Sequence, residues 1–280
     1  MLNVFINNKK LLNEKIVQIK KDGKDNLHII SDFDNTLSKA YIAGESAQSM
    51  IGQIRRLGYL GEEYTKFAYE LYNKYHPIEI DHTISQDIKN EKMDEWWATH
   101  IEKLSKYGLN KNILDAVIKN SVFELRKNIN DFFDILKNND IPILIFSAGV
   151  NYLIKGYLDK NNIDHKNIFI ISNDYNFDSN GYVIGYKSKI IHTFNKGEIA
   201  VKNDPNYSKI LHRKNIILLG DSLGDLDMAK GIEHKTKITI GFYNYSDIKQ
   251  LEEHKKQFDI VITGDGPMDY INELLKNILE

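Results

Sequence analysis

The chain has 280 residues, 42% hydrophobic and 27% charged, with 37 Lys and Arg against 39 Asp and Glu for a formal net charge of -2. This is ordinary globular composition, long enough for one domain with a large insertion or for two domains, and it carries no global field that would draw nucleic acid or an anionic membrane. The absence of cysteine excludes disulfides, thiolate metal sites and a Cys nucleophile, and no window approaches the apolar length of a membrane span or a signal-peptide core, so a cytoplasmic protein is the simplest expectation.

Leu11, Leu12, Ile16 and Ile19 recur at helical spacing and predict an N-terminal helix, ended by Lys21-Asp-Gly-Lys24. Leu27 to Ser31 reads as a short buried strand, and Asp32-Phe-Asp-Asn-Thr36 follows it directly. From about Gly44 to Asn120 strand-like runs all but vanish. Amphipathic stretches at 46–57, 62–75, 85–107 and 111–120 predict a helical insertion, with breaks at Gly58, Gly61, Pro77 and Gly108. Alternation then returns, with helices at 130–138 and 150–161 and strands at 141–146 and 167–172. Tyr175 to Lys187 carries Asn180-Gly181 between apolar and aromatic residues, a strong hairpin signal. Strands at 216–219, 237–240 and 258–262 complete the set. The expected fold class is α/β, a doubly wound and mostly parallel Rossmann-like sheet, with residues 1–42 and 122–280 as the core and 43–121 as an inserted helical cap.

The chemistry is concentrated at strand ends. Asp32 and Asp34 sit just past a buried strand, where open α/β sheets bind ligands. One carboxylate can attack phosphorus while the other handles the proton of the leaving oxygen. A calcium loop starting at Asp32 fails, because Leu37 stands where the turn Gly belongs and Ala43 where the last Glu belongs. A second acidic loop, Asp221-Ser-Leu-Gly-Asp225, follows the apolar run 216–220. Two acidic loops capping apolar strands can share one hard cation. Oxygen-only ligands point to Mg²⁺, with the Asp32 carboxylate, the Asp34 carbonyl and the Asp221 carboxylate as ligands and Asp225 beside them. The plain alternative for Asp221 and Asp225 is to cap a helix starting near Leu226. Ser147, where a strand gives way to a helix, can hold phosphate oxygens with the backbone N–H groups around Ala148, or can be a mere N-cap.

These residues resemble the haloacid dehalogenase superfamily in all four of its motifs, in order: Asp32-Phe-Asp-Asn-Thr-Leu-Ser38, Phe146-Ser-Ala-Gly149, Lys196 in Phe194-Asn-Lys196, and Gly220-Asp-Ser-Leu-Gly-Asp225. The wording is closest to the cytosolic pyrimidine 5′-nucleotidases of the type III class, and the likeness runs from about Glu14 to the C-terminus, including Ile78-Glu-Ile-Asp81. The resemblance implies a C1-type cap, Asp32 as nucleophile, Asp34 as acid/base and Lys196 as the cation that neutralises the phosphoryl group and orients Asp32. It also implies that Glu79 contacts the base and that His100 falls near a further substrate contact, although the family's Ser-His pair reads Thr99-His100 here. Trp97 replaces a more usual Tyr, and a larger indole suits a cationic methylated purine.

The expectation is therefore a Mg²⁺-dependent hydrolase of nucleoside 5′-monophosphates, UMP and CMP first. A 7-methylguanosine monophosphate preference is the nearest alternative, then a phosphoserine-type phosphatase, then an inactive binding protein. A monomer is favoured, with neither nucleic acid nor membrane as partner. Near-misses elsewhere carry nothing: Gly181 to Ser188 has the wrong spacing for a phosphate-binding loop, and no Gly-x-Ser-x-Gly elbow exists.

Overall fold

In the computed structural model, which describes residues 4–81, 83–197, 210, 212–230 and 233–280, the chain opens with a short strand, β1 (Val4–Ile6), and a helix, α1 (Lys9–Asp22). The Asn8 side chain accepts from the Leu11 N–H to start α1, and Gly23, at φ 80°, ends it. β2 (Leu27–Ser31) is buried throughout. A two-residue hairpin, β3 (Tyr41–Ile42) and β4 (Glu45–Ser46), leads into four helices, α2 (Met50–Arg56), α3 (Gly61–Ile80), α4 (Gln86–Lys106) and α5 (Lys111–Asn120). The alternating part follows: α6 (Ile129–Asn138), β5 (Ile143–Val150), α7 (Asn151–Lys160), β6 (Ile168–Asn173), the hairpin β7 (Tyr175–Phe177) and β8 (Val183–Tyr186), then β9 (Asn215–Gly220). A 3-10 segment (Leu223–Ala229), β10 (Thr236–Tyr243), α8 (Ile248–Gln257), β11 (Ile260–Thr263) and α9 (Asp269–Leu279) complete it.

The main sheet has seven strands in the order β1-β11-β10-β9-β2-β5-β6, parallel except where β1 runs antiparallel to β11. Covering both faces explains why β2 and β9 are buried at every position and read as largely apolar runs rather than alternating ones. From β2 the chain winds outward through β5 and β6, then returns to β9 on the other side. The carboxyl ends of β2 and β9 therefore flank the point where the winding reverses, the crevice in which such sheets bind ligands.

The structure differs from expectation in three places that matter locally. Pro77 does not break a helix: it lies within α3, which continues to Ile80. Placed in the last turn, the proline forfeits one hydrogen bond, and the Asp81 N–H still reaches the Pro77 carbonyl at 3.2 Å. Glu79 is thereby on a helix, not a loop. β1 and the β3–β4 hairpin are too short to show any period. The Asn180-Gly181 hairpin forms, but its loop is wider than a two-residue turn: Asp178 closes it, its carboxylate accepting from the Asn180 and Tyr182 N–H groups at 2.9 and 2.8 Å.

The helical insertion is rooted at one end and separate at the other. Met50, Ile54, Tyr64, Leu104, Leu109, Leu114 and Val117 belong to the same apolar cluster as the sheet. The hairpin clasps the same end, with the Val183 N–H on the Leu109 carbonyl at 2.8 Å. The outer ends of α3 and α4 carry a small cluster of their own, Leu71, Tyr75 and Met93, against which Phe194 packs from the core.

His28, on β2, is 2% exposed, with the His234 ring centroid 6.0 Å away. Burial, with the nearby His234 and Arg213 charges, holds its pKa down to about 3. The folded state thus resists a proton that the unfolded chain takes up near pH 6.5, so this stability is complete above that pH and lost on acidification. Between pH 7 and 5 the loss from His28 should be about 2 kcal/mol. Denaturant titrations of wild type and His28→Leu at both pH values check this: the variant should gain about 2 kcal/mol relative to wild type on going from pH 7 to 5, and parallel pH profiles would refute it.

Candidate active site

β2 hands over to the site through one last ladder bond, the Asp32 N–H to the Leu219 carbonyl at 3.0 Å, which places Asp32 between β2 and β9. The chain then folds back on itself. The Thr36, Leu37 and Ser38 N–H groups all point at the Phe33 carbonyl, and Asn35 sits at φ 60°, a left-handed conformation that Asn tolerates. The Ser38 hydroxyl oxygen accepts from the Asn35 N–H at 2.9 Å.

Arg126 holds this loop from below. It is 1% exposed, and its guanidinium donates to the carbonyls of Thr36 (2.6 Å), Gly266 (2.8 Å) and Asn35 and to Asn244 Oδ1 (3.1 Å). It pairs with Asp265 at 3.1 Å and lies 3.8 Å from the Phe242 ring centroid. Asp265 in turn accepts from the Ala40 and Tyr41 N–H groups. The fork geometry of Arg suits several carbonyls at once. Sequence reasoning missed Arg126, Asn244 and Asp265, since nothing in their own neighbourhoods marks them.

Lys196 is where the acidic loops meet. Its ammonium donates to Asp32 Oδ1 at 2.5 Å and to Asp225 Oδ1 at 2.7 Å, with all three side chains buried. The other oxygen of Asp225 accepts from the Asp221 N–H (3.1 Å), the Ser222 N–H (2.9 Å) and the Ser222 hydroxyl (2.9 Å). Asp225 is therefore not the N-cap of a helix near Leu226. Ser222 is the cap of the 3-10 segment, and Asp225 is its partner three residues on. Gly220 makes room for this: a Cβ there would lie 2.4 Å from the Asp225 Cβ.

Asp32, Asp221 and Asp225 each bring a carboxylate oxygen within 4.8 Å of the others. Burial pushes Asp32 up to about 6 against the pull of Lys196, and burial with the Asp225 and Asp32 charges pushes Asp221 well above the carboxylate range. Burial would lower Lys196, but the Asp225 and Asp32 carboxylates outweigh it and raise it. Three carboxyl groups crowded around one ammonium hold one another's protons on, and this all-oxygen donor set fits a hard divalent cation that would favour their ionised forms. Asp34 is pushed up to about 7, by burial first and the Asp32 charge second. Its Oδ1 accepts from the Met50 N–H at 3.2 Å, the first residue of α2.

The remaining predicted residues are placed as follows. Ser147 and Ala148 lie in an irregularity at the end of β5, where pairing with β6 shifts between Phe146 and Val150. The Ser147 hydroxyl accepts from the Gly149 N–H at 3.0 Å, and Asn173 Nδ2 donates to the Ala148 carbonyl at 2.7 Å. A Cβ on Gly149 would meet Asp34 Oδ2 at 3.8 Å, so this turn borders the acid/base candidate. Glu79 accepts from the Thr193 hydroxyl at 2.6 Å and lies 3.2 Å from His76 Nδ1. Burial pushes its pKa up, but those two partners outweigh it and hold the carboxyl below its usual range. Thr193 is three residues from Lys196, which joins Glu79 to the site. His100 is on α4 with Nε2 2.9 Å from the Tyr64 hydroxyl, and burial with the Arg55 charge lowers it to about 4. Trp96 stacks on Tyr75 at 5.7 Å, whereas Trp97 has no ring stacked on it among the described residues.

The profile of pyrimidine 5′-nucleotidases (UMPH-1) matches residues 35–279. The chain belongs to the pyrimidine 5′-nucleotidase family. It is a 5′-nucleotidase, a phosphoric monoester hydrolase on a haloacid-dehalogenase-type fold. Family relatives include the 7-methylguanosine phosphate-specific 5′-nucleotidase of Homo sapiens, 35% identical over 95% of this chain and 89% of its own, and form A of that enzyme from Xenopus laevis, 35% identical over 95% of this chain and 92% of its own. The crystal structure of cytosolic 5′-nucleotidase IIIB bound to cytidine superposes with a TM-score of 0.91 at 30% identity, covering 98% of this chain and 93% of that one. A substrate-bound phosphoserine phosphatase, at TM-score 0.54 and 17% identity over 88% of this chain and 96% of its own, shares the fold. Among the described residues no helix is long and apolar enough to cross a membrane.

Proposed function

We propose that this nucleotidase hydrolyses nucleoside 5′-monophosphates through an aspartyl-phosphate, with CMP and 7-methylguanosine monophosphate as its best substrates and UMP behind them. The observation that carries this is Glu79. Its ionised carboxylate, on α3 and fixed by Thr193 and His76, faces the turn that leads to Lys196. Such an acceptor suits the exocyclic amino group of cytosine or the amino and ring N–H edge of a methylated guanine, and uracil has no amino group to offer. The names of the relatives support both bases, and the half-buried indole of Trp97, on which no ring is stacked among the described residues, suits a cationic methylated purine. A phosphoserine-type substrate would bring its own carboxylate toward Glu79, which argues against it.

In this mechanism Asp32 attacks phosphorus in line, and the bond to the sugar oxygen breaks as Asp34, protonated at its raised pKa, gives that oxygen its proton. Asp34 then takes a proton from the water that cleaves the aspartyl-phosphate. Lys196 holds Asp32 in place, and Ser147 with the N–H groups around Ala148 holds the phosphoryl oxygens. Mg²⁺ would be held by the Asp32 and Asp221 carboxylates and the Asp34 carbonyl, and when bound it supplies neutralisation of phosphate charge. Asp225, engaged on both oxygens, positions Lys196 and the second acidic loop instead. Residues 43–121 act as the cap that confers base preference. A cytoplasmic setting belongs to this reading, supported by the cytosolic relative's name.

The test is phosphate release from CMP, UMP, AMP, GMP, 7-methyl-GMP and phosphoserine, with and without Mg²⁺. CMP and 7-methyl-GMP should lead, chelation should abolish release, and Glu79→Gln should lower kcat/KM on those two by about 10- to 100-fold, the worth of a charged hydrogen bond. Phosphoserine as the preferred substrate, or a Glu79→Gln variant with unchanged base preference, would sink this reading.

A further inference from the structure

After β8 the chain makes a short turn, 190–196, that touches both halves of the molecule. Its stem is pinned to the core: the Ile191 N–H donates to Asn173 Oδ1 at 2.8 Å, and Asn173 Nδ2 donates to the Ile191 carbonyl at 2.7 Å. The turn is braced within itself by Asn195, whose Oδ1 accepts from the His192 N–H (2.8 Å) and whose Nδ2 donates to the Ile190 carbonyl (2.9 Å). Three consecutive residues then face the helical insertion. His192 Nε2 lies 3.4 Å from Asp94 Oδ1, the Thr193 hydroxyl donates to Glu79 at 2.6 Å, and Phe194 packs against the outer cluster of Leu71, Tyr75 and Met93, with the Lys89 ammonium 5.1 Å from its ring centroid. Two residues later Lys196 bridges Asp32 and Asp225.

We propose that His192–Lys196 is a latch through which the cap tip sets the position of Lys196, with Phe194 and Thr193 as positioning residues for the nucleophile. The proposal rests on the nucleotide reading above. The tip's apolar cluster is separate from the main core, so the tip can shift while the rooted end of the insertion stays put. A turn this short and this braced cannot absorb such a shift, and passes it to Lys196. A nucleotide whose base engages Glu79 holds the tip down, and Lys196 with it. A phosphate ester without a base leaves the tip unsupported. Binding energy from the remote base is thereby spent at the reacting centre, and appears in kcat rather than in KM alone.

The experiment compares wild type, Phe194→Ala and the near-isosteric Thr193→Val on the better of CMP and 7-methyl-GMP and on ribose 5-phosphate, with Mg²⁺ present. In Phe194→Ala, kcat on the nucleotide should fall by about tenfold or more, within the range a misplacement of about 1 Å produces, while kcat on ribose 5-phosphate stays near wild type. Thr193→Val should shift the same ratio in the same direction by a smaller factor. Equal losses on both substrates in both variants, or a rise in nucleotide KM with kcat unchanged, would overturn the latch while leaving the nucleotide reading intact. A wild-type enzyme that turns over ribose 5-phosphate as fast as any nucleotide would sink that reading and the latch together.

Discussion

Asp32→Asn should cut phosphate release from every substrate by more than about a thousandfold, because the amide keeps the shape of the side chain but cannot attack phosphorus. The position of Asp32 explains why no neighbour replaces it. It stands at the carboxyl end of β2, tied to β9 through the Leu219 carbonyl and to Lys196 at 2.5 Å. Asp225 has both oxygens occupied, and Asp34 is held back by the Met50 N–H. The variant should still fold. Burial and the Asp225 charge already disfavour an ionised Asp32, so losing that charge relieves repulsion in the acidic cluster even as it weakens the grip on Lys196. Two measurements decide the matter: initial rates of phosphate release, and acid-quenched mass spectrometry for a phosphorylated enzyme. Residual activity above about a hundredth of wild type, or a phosphoenzyme in the Asn variant, would remove Asp32 from the nucleophile's role, since loss of a covalent nucleophile costs far more than that.

Arg126→Met should be the most damaging substitution outside the reacting groups. The methionine fills much of the space but leaves the Thr36 and Gly266 carbonyls without the Arg126 donor, the Asn35 carbonyl with Asn244 alone, and Asp265 without its counter-charge. Breaking a buried pair by removing one partner typically costs about 3–5 kcal/mol. Urea unfolding should show a loss of that order. Activity should fall with it, by about tenfold or more, because the loop Arg126 supports is the one that aims Asp34. Arg126→Lys keeps the charge but not the fork, and should recover only part of either loss. A variant with stability within about 1 kcal/mol of wild type and an unchanged kcat would show that Asn244 and the loop's own turn suffice.

The acidic half of the candidate site is written in short stretches of sequence. An apolar run followed at once by Asp32 and Asp34, and another followed by Asp221 and Asp225, are local patterns, because a buried strand and the loop at its end are contiguous in the chain. The helix–strand alternation that fixes a parallel sheet is local too, as are the caps at Asn8 and Gly23. Even there some roles waited for the structure. Asp225 caps nothing on its own but completes Ser222's box and holds Lys196, a distinction that depends on which donors surround two oxygens.

What the tertiary structure alone decided is how the pieces face one another. Arg126 reaches Asn35 and Thr36 across about ninety residues, and Asn244 reaches Asn35 across more than two hundred. No periodicity or spacing encodes such pairs, because each residue reads locally as an ordinary polar side chain. The same holds for Thr193 on Glu79 and for Phe194 in the cap's outer cluster. Pro77 marks the limit from the other side. Its local preference signals a break, yet packing of α3 against α4 carries the helix on to Ile80 and puts Glu79 opposite the turn that bears Lys196. Local preference is worth a few kcal/mol at such a position, and burial of a whole helix face exceeds it.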